Sequence, residues 1–166
     1  CESYFREFQA RQARVEVSIL RACVVMGPHA NNFITTALDK PFLIGIRSAD
    51  PLMQFVHEED LTRVLFRFVT ESHPGIYNVA GSGDLRWSEV VSLSGKRMIQ
   101  LPTSLAYGLT SAAWHTRLQN DAPSVGLDFI RWPWTVSTAK LERELLTSIR
   151  FTSREALESY LLTLAR

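Results

Sequence analysis

The segment from Gln54 to Gly83 most constrains how this chain can fold. A short apolar run at residues 55–56 is followed by apolar residues at helical spacing over 61–69, and then by the strand-forming run 76–80 (IYNVA). A strand, a helix and a second strand over about 30 residues predict a βαβ crossover. Because such a crossover places its two strands parallel in one sheet, the segment predicts an α/β fold.

A second strand signal lies upstream, at residues 15–25 (VEVSILRACVV), where β-branched and apolar residues dominate. The run ends before Gly27 and Pro28, which favour a turn, so we predict a central, buried parallel strand. Residues 29–52 predict a short helix at 33–38 and a short strand at 42–46.

Helices are predicted to dominate the rest of the chain, at residues 87–93, 104–114, 138–146 and 154–164. Thr152 and Glu155 fit a capping box for the last helix. The chain begins at Cys1, and its first dozen residues predict a helix with Tyr4, Phe5 and Phe8 on one face. We expect that face to be buried, which would make the chain a proteolytic product, a shortened chain or one of two chains that assemble.

Composition excludes several classes of protein. Of 166 residues, 46% are apolar and 21% are charged, which is typical of a globular domain and not of disordered or fibrous chains. The formal charge of +1 provides no broad field for nucleic acid or an anionic membrane. The longest apolar-leaning run, 101–114, is shorter than the roughly 20 residues of a membrane span. Cys1 and Cys23 form no metal or disulfide pattern, so we expect no metal and a cytoplasmic protein.

Four segments carry a family resemblance: residues 17–28 (VSILRACVVMGP), 54–61 (QFVHEEDL), 76–83 (IYNVAGSG) and 137–145 (STAKLEREL). In that order they resemble the C-terminal half of extended short-chain dehydrogenases/reductases, the NAD-dependent epimerase/dehydratase family. The resemblance implies the C-terminal part of a Rossmann-type parallel sheet plus a small, mostly helical substrate domain. It assigns residues 1–28 and 53–83 to the Rossmann portion, 29–52 to the substrate cleft and 84–166 to the substrate-binding region.

The groups that perform chemistry in that family are missing from this sequence. The family binds NAD or NADP through a Gly-rich turn and uses a Tyr-x-x-x-Lys pair for acid/base work. No GxxGxxG run occurs here, and Phe8 stands four residues after Tyr4 where a Lys would be needed. The resemblance therefore implies a chain that is inactive alone and that requires an N-terminal portion, either in the same polypeptide or as a separate fragment. The choice between NAD and NADP would be made there.

The resemblance also implies roles for residues that are present. The cofactor-binding set beside the nicotinamide would be Arg21, Ala22, Cys23 and Val24, and the set contacting a small-molecule substrate would be Met26, Asn31, Asn32, Phe33, Gln54 and Arg131. Met53 and Gln54 stand where sugar-nucleotide enzymes of the family often carry Arg and Asp, which weakens the likeness to those enzymes. Apolar residues that either line a less polar pocket or simply pack in the core are Met26, Phe33, Leu105, Tyr107, Trp114, Trp132 and Trp134.

Several of these residues have a structural interpretation as well. Arg21 in an apolar strand requires a carboxylate partner or an anionic ligand. Cys23 is interpreted as a small buried hydrophobe rather than a nucleophile. His57 is interpreted as a structural residue or helix cap in preference to a general base. Arg131 beside Trp132 either binds a diphosphate or stacks on aromatic rings.

Two rival functions remain open at this stage. The fold without its chemistry would suit a non-catalytic dinucleotide sensor or scaffold, since fold does not dictate function. The chain is also compatible with a self-standing small binding domain, and homo-oligomers are possible for any of these.

Overall fold

The computed structural model describes residues 2–12, 14–118, 123–145 and 149–164. Its helices are α1 (Glu2–Arg11), α2 (Phe33–Leu38), α3 (Glu58–Thr70), α4 (Trp87–Leu93), α5 (Thr103–His115), α6 (Ala139–Leu145) and α7 (Ser153–Leu164), with a 3-10 helix at Ser124–Ile130. Its strands are β1 (Ser18–Ala22), β2 (Val24–Met26), β3 (Phe42–Ile46), β4 (Leu52–Met53), β5 (Phe55–His57), β6 (Gly75–Val79), β7 (Leu85–Arg86) and β8 (Arg97–Leu101).

The predicted strand at residues 15–25 is in fact two strands, β1 and β2, separated at Cys23. β1 pairs in parallel with β6, and β2 pairs in parallel with β5. Because β1 and β2 continue in one direction, β5 and β6 both run parallel to them. The α/β class and the parallel crossover are therefore confirmed. The single, central, buried strand is wrong, because the run is broken at Cys23, β1 pairs with β6 alone among the described strands, and none of the β1 residues is buried.

The two strand pairs are joined where β1–β2 and β6 separate. At the end of the β1–β6 pairing, the amide of Cys23 donates to the carbonyl of Val79 at 2.9 Å. One step further, the amide of Gly81 donates at 2.7 Å to the carbonyl of Phe55, whose own strand pairs with Val24. β5 thus lies between β2 and the segment that follows β6, so the pieces form one parallel layer.

A second group of strands lies outside this layer. β3 pairs in parallel with β8, and β4 pairs antiparallel with β7. The region after residue 84 is therefore not only helical, because it contributes β7, β8 and the 3-10 helix. β8 was not predicted, since a five-residue run with one β-branched side chain gives little local signal and its partner lies more than 50 residues earlier.

Two apolar clusters hold these elements together. The larger one joins α2, β3, α4, α5 and α7, and its largest fully buried side chains are Trp87, Phe55, Met26, Ile34, Leu38, Ile46, Met53 and Leu157. The smaller one packs α3 and α6 against β5 and β6 through Val56, Val64, Tyr77, Val79, Leu141 and Leu145. Both faces of the parallel layer are therefore covered in this part of the fold.

Helix α1 forms as predicted, but its apolar face is not buried. Tyr4, Phe5 and Phe8 are 68%, 48% and 40% exposed. Cys1, at the start of the predicted helix, and Leu146, at the end of the predicted 138–146 helix, lie outside the described residues. Within the described ranges, no helix is long and apolar enough to cross a membrane.

Candidate functional site

The carboxyl ends of β2 and β5 lie side by side at one edge of the parallel layer, and β1 leads directly into β2. Ligands of open parallel sheets bind in the crevice outside that edge. The residues predicted to bind the cofactor, Arg21, Ala22, Cys23 and Val24, form one run across the break between β1 and β2. Asn31, Asn32 and Phe33 follow β2 within a few residues, so the structure brings the cofactor set and this part of the substrate set to the same edge.

Arg21 has a carboxylate partner in the chain. Its Nε donates to Oε1 of Glu2 at 2.7 Å, and its second nitrogen contacts Oε2 at 2.5 Å, so the pair is bidentate. This hydrogen bonding raises the pKa of the Arg21 guanidinium and lowers the pKa of the Glu2 carboxyl. Of the two partners considered for Arg21, a carboxylate and an anionic ligand, the structure shows the carboxylate. The pair links the start of α1 to β1.

Cys23 is a half-buried residue at the break between the strands. Its burial raises the pKa of the thiol from 9.0 to about 11, so the neutral thiol predominates at physiological pH. This agrees with the interpretation of Cys23 as a small hydrophobe rather than a nucleophile.

Alkylation of Cys23 by iodoacetamide at pH 8 is expected to be about a hundredfold slower than that of an exposed thiol, since two pKa units reduce the thiolate fraction that far. The measurement uses a Cys1→Ser background, so that Cys23 is the thiol followed by mass spectrometry. A rate equal to that of a free peptide thiol would contradict the assigned burial.

Asn32 has a structural role at the start of α2. Its Oδ1 accepts from the amides of Ile34 at 3.0 Å and Thr35 at 3.2 Å, and its Nδ2 donates to the Val25 carbonyl at 2.8 Å. Both ends of the Asn32 amide are therefore engaged within the chain, and they fix the segment after β2. Asn31, in contrast, is exposed.

The remaining predicted substrate residues differ in how accessible they are. Met26 is fully buried in the larger apolar cluster and has no exposed side chain to offer a ligand. Phe33 is half-buried, with its ring centroid 5.6 Å from that of Phe129. The Gln54 side chain is also engaged, since its Oε1 accepts from the amide of Val136 at 2.7 Å.

Arg131 lies over aromatic rings, which agrees with the stacking role considered for it in the sequence. Its guanidinium carbon lies 4.9 Å from the Trp132 ring centroid and 5.7 Å from that of Tyr107. Arg131 also lines an open cavity of about 570 Å³ together with Arg47 and Thr103. Sequence reasoning missed Arg47, whose only signal is its position directly after the predicted strand at 42–46.

His57 serves as the N-cap of α3. Its Nδ1 accepts from the amide of Glu59 at 3.2 Å, and its ring stacks on Phe151 at a centroid distance of 3.9 Å. The side chain is 3% exposed, so it is not placed to act on a bound substrate. The structural interpretation of His57 is confirmed.

The turn after β2 contains a polar pair that sequence reasoning did not recognise. Glu58 accepts from the amide of His29 at 3.2 Å and contacts His29 Nδ1 at 2.8 Å. The Glu58 side chain lies over Gly27, whose φ of +151° favours glycine. A carboxylate at this turn disfavours a phosphate there.

The described residues fit only part of a dinucleotide. Ala22 is small and exposed beside the half-buried Val24, which suits a wall for a flat ring. No phosphate cradle occurs among the described residues at this edge, because Asn32 already occupies the first amides of α2 and Glu58 covers the Gly27 turn. Among the described residues, no group of three His, Cys, Asp or Glu side chains is placed to hold a metal.

Sequence comparison finds distant relatives. No sequence model of a known protein family matches this chain. An uncharacterized protein of Mycobacterium tuberculosis is 24% identical over 162 residues, covering 96% of this chain and 42% of that protein. A second uncharacterized protein of the same organism is 25% identical over 129 residues, covering 76% of this chain and 15% of its own length. The chain thus spans less than half the length of these relatives.

Solved structures show the fold more clearly. MoeE5, in complex with UDP-glucuronic acid and NAD, matches 99% of this chain with 52% of its own, at a TM-score of 0.71 and 19% identity. UDP-glucose 4-epimerase of Thermotoga maritima, with UDP-glucose, matches 98% of this chain with 50% of its own chain, at a TM-score of 0.68 and 13% identity. RMD of Pseudomonas aeruginosa, with NADPH, matches 99% of this chain with 53% of its own chain, at a TM-score of 0.64 and 16% identity. The chain therefore has the Rossmann-like α/β fold of NAD-dependent epimerases and dehydratases.

Proposed function

We propose that this chain supplies the nicotinamide-side wall and the substrate cleft of an NAD(P)-dependent epimerase/dehydratase-like oxidoreductase. The observation that carries the proposal is the match of 99% of the chain to 52% of MoeE5, a protein that holds NAD and a nucleotide sugar. The Gly-rich turn and the Tyr-x-x-x-Lys pair would come from an upstream segment. The chain alone would then be inactive.

Within this proposal, the run from Arg21 to Val24 acts through shape. Ala22 leaves room for a ring beside the strand end, and the neutral thiol of Cys23 does not attack it. Arg21 acts indirectly, since its bond to Glu2 sets the distance between α1 and β1. The nicotinamide, when bound, supplies the hydride donor or acceptor, and the upstream pair would move the proton.

The substrate side of the cleft is assigned to Asn31 and Phe33, with Asn32 and Gln54 as positioning residues whose amides hold neighbouring backbone. Met26 supports this wall from beneath, and Arg131 closes the far side. The proposed Rossmann portion remains residues 1–28 and 53–83, with 29–52 and 84–166 forming the substrate part. Neighbours bound to NAD and to NADPH both occur, so the proposal covers either cofactor.

The exposed face of α1 supports an upstream partner segment. Tyr4, Phe5 and Phe8 place three large aromatic side chains side by side on one surface, and such patches usually mark an interface. Among the described strands, β1 pairs with β6 alone, which leaves its other edge available. An added strand and helix would cover both features.

The test is a titration of the protein at its natural length with NAD and NADP by isothermal calorimetry. We expect saturation at one dinucleotide per chain for at least one of them. Ala22→Trp should weaken that binding by about tenfold or more, because the indole would occupy the ring's place. Ala112→Trp, an equally large change on the exposed side of α5, is the matched control and should stay within about twofold. Absence of binding to both cofactors would overturn the proposal.

A further inference from the structure

A large apolar cavity lies on the side of α2 that faces β3, β8 and α5. Its volume is about 540 Å³, and α2, β3, β8, α5 and the 3-10 helix enclose it. Small-molecule sites typically span about 300–1,000 Å³. The cavity is therefore large enough for a ligand and too large to be a packing defect.

Its inner wall offers almost no hydrogen bonds. Ile34, Leu43 and Leu127 form much of that wall, and each is buried. Trp87 also lines the cavity, but its Nε1 already donates to the carbonyl of Ile44 at 2.9 Å. The polar side chains among the lining residues are Thr36, Lys40 and Thr110. A sugar or a phosphate placed against the wall of Ile34, Leu43 and Leu127 would lose its bonds to water without replacing them.

The exposed lining of the cavity is apolar apart from Lys40. Phe42, Ile99 and Leu109 line the cavity and are 49%, 44% and 54% exposed. Aliphatic and aromatic side chains at the rim of a deep pocket favour the entry of an apolar molecule over a hydrated one. The wall and the exposed lining therefore select the same kind of ligand.

We propose that this cavity binds the hydrocarbon portion of an uncharged, lipid-like molecule, such as an alkyl chain. The two threonine hydroxyls provide bonds for a single polar group, such as an alcohol. This inference goes beyond the proposed function, because Phe33 is the single residue among those individually assigned to the cofactor wall and substrate cleft that also lines the cavity. Phe33 lines it at the side nearest β2, so the ligand would lie next to the proposed substrate cleft.

The test is a calorimetric titration of the protein at its natural length with 1-hexanol, 1-octanol and 1-decanol. Each added methylene should tighten binding by about fourfold until the cavity is filled, and the heat capacity change should be negative. Native mass spectrometry of the protein as purified separates two sources: a retained adduct indicates a resident lipid, and its absence an exchangeable ligand. Affinities that do not depend on chain length would overturn the proposal.

Two neighbouring alanines on α5 provide matched variants. Ala113 lines the cavity, whereas Ala112 is exposed and does not. Ala113→Phe should weaken 1-decanol binding by about tenfold or more, because the ring fills the space, and Ala112→Phe should stay within about twofold. Equal losses in both variants would contradict the assignment. Should Ala113→Phe fail to fold, the chain-length series on the unsubstituted protein still decides.

Discussion

Replacing Asp60 with alanine is expected to lower the free energy of unfolding by about 4 kcal/mol, which is typical of removing one partner from a buried ion pair. The Asp60 side chain is 1% exposed, and both of its oxygens accept from the amide of Arg150 at 3.1 Å. One oxygen also accepts from the amide of Phe151 at 2.9 Å, and the carboxylate pairs with Arg63. Its loss would leave two backbone donors and a guanidinium unsatisfied.

Urea denaturation followed by circular dichroism measures this change. Glu59→Ala is the matched control, since Glu59 is an exposed carboxylate on the same turn of α3, and it should cost about 0.5 kcal/mol at most. Asp60→Asn, which keeps an acceptor but no charge, should fall between the two. A cost below about 1 kcal/mol for Asp60→Ala would show that this carboxylate does not anchor the segment before α7.

Gly81→Ala is expected to cost about 3 kcal/mol, at the upper end of what overpacking usually costs. A Cβ at Gly81 would lie 2.8 Å from the carbonyl oxygen of Phe55, 2.8 Å from the amide of Ser153 and 2.9 Å from the carbonyl oxygen of Phe151. All three are backbone atoms, so none can turn aside as a side chain would. The layer would have to open between β5 and the segment after β6.

Gly108→Ala is the control for this prediction and should have the opposite sign. Gly108 lies within α5, and a Cβ there would meet nothing within 4 Å. Alanine should therefore stabilise the helix by up to about 1 kcal/mol. Thermal melts of both variants test the pair, and equal destabilisation would mean that the close approach at Gly81 is not the cause.

The features that the sequence predicts well are those with a local signature. The apolar spacing of residues 61–69 predicts α3, and its start at His57 and the three acidic residues that follow matches the observed helix. The Thr152–Glu155 capping box forms as expected, with Thr152 accepting from the Glu155 amide at 3.1 Å. The parallel crossover follows from the order of these elements.

The features that the sequence does not predict depend on contacts between distant residues. The pairing of β8 with β3, the break of the predicted strand at Cys23 and the close approach at Gly81 all require a partner far along the chain. The contacts made by predicted site residues depend on distant partners as well. The resemblance placed Asn32 and Gln54 near a cleft, but not the backbone groups of Val25 and Val136 that engage their side chains.

Hydrogen–deuterium exchange of the protein at its natural length, with and without saturating NAD or NADP, tests the central claim most directly. We expect the dinucleotide to slow exchange in peptides covering residues 21–24 and 31–33, because these form the proposed wall and cleft. Peptides covering α6, which packs against β6 away from that edge, should not change. Unchanged exchange at residues 21–24 when the cofactor is bound would contradict the claim that this strand end forms the nicotinamide wall.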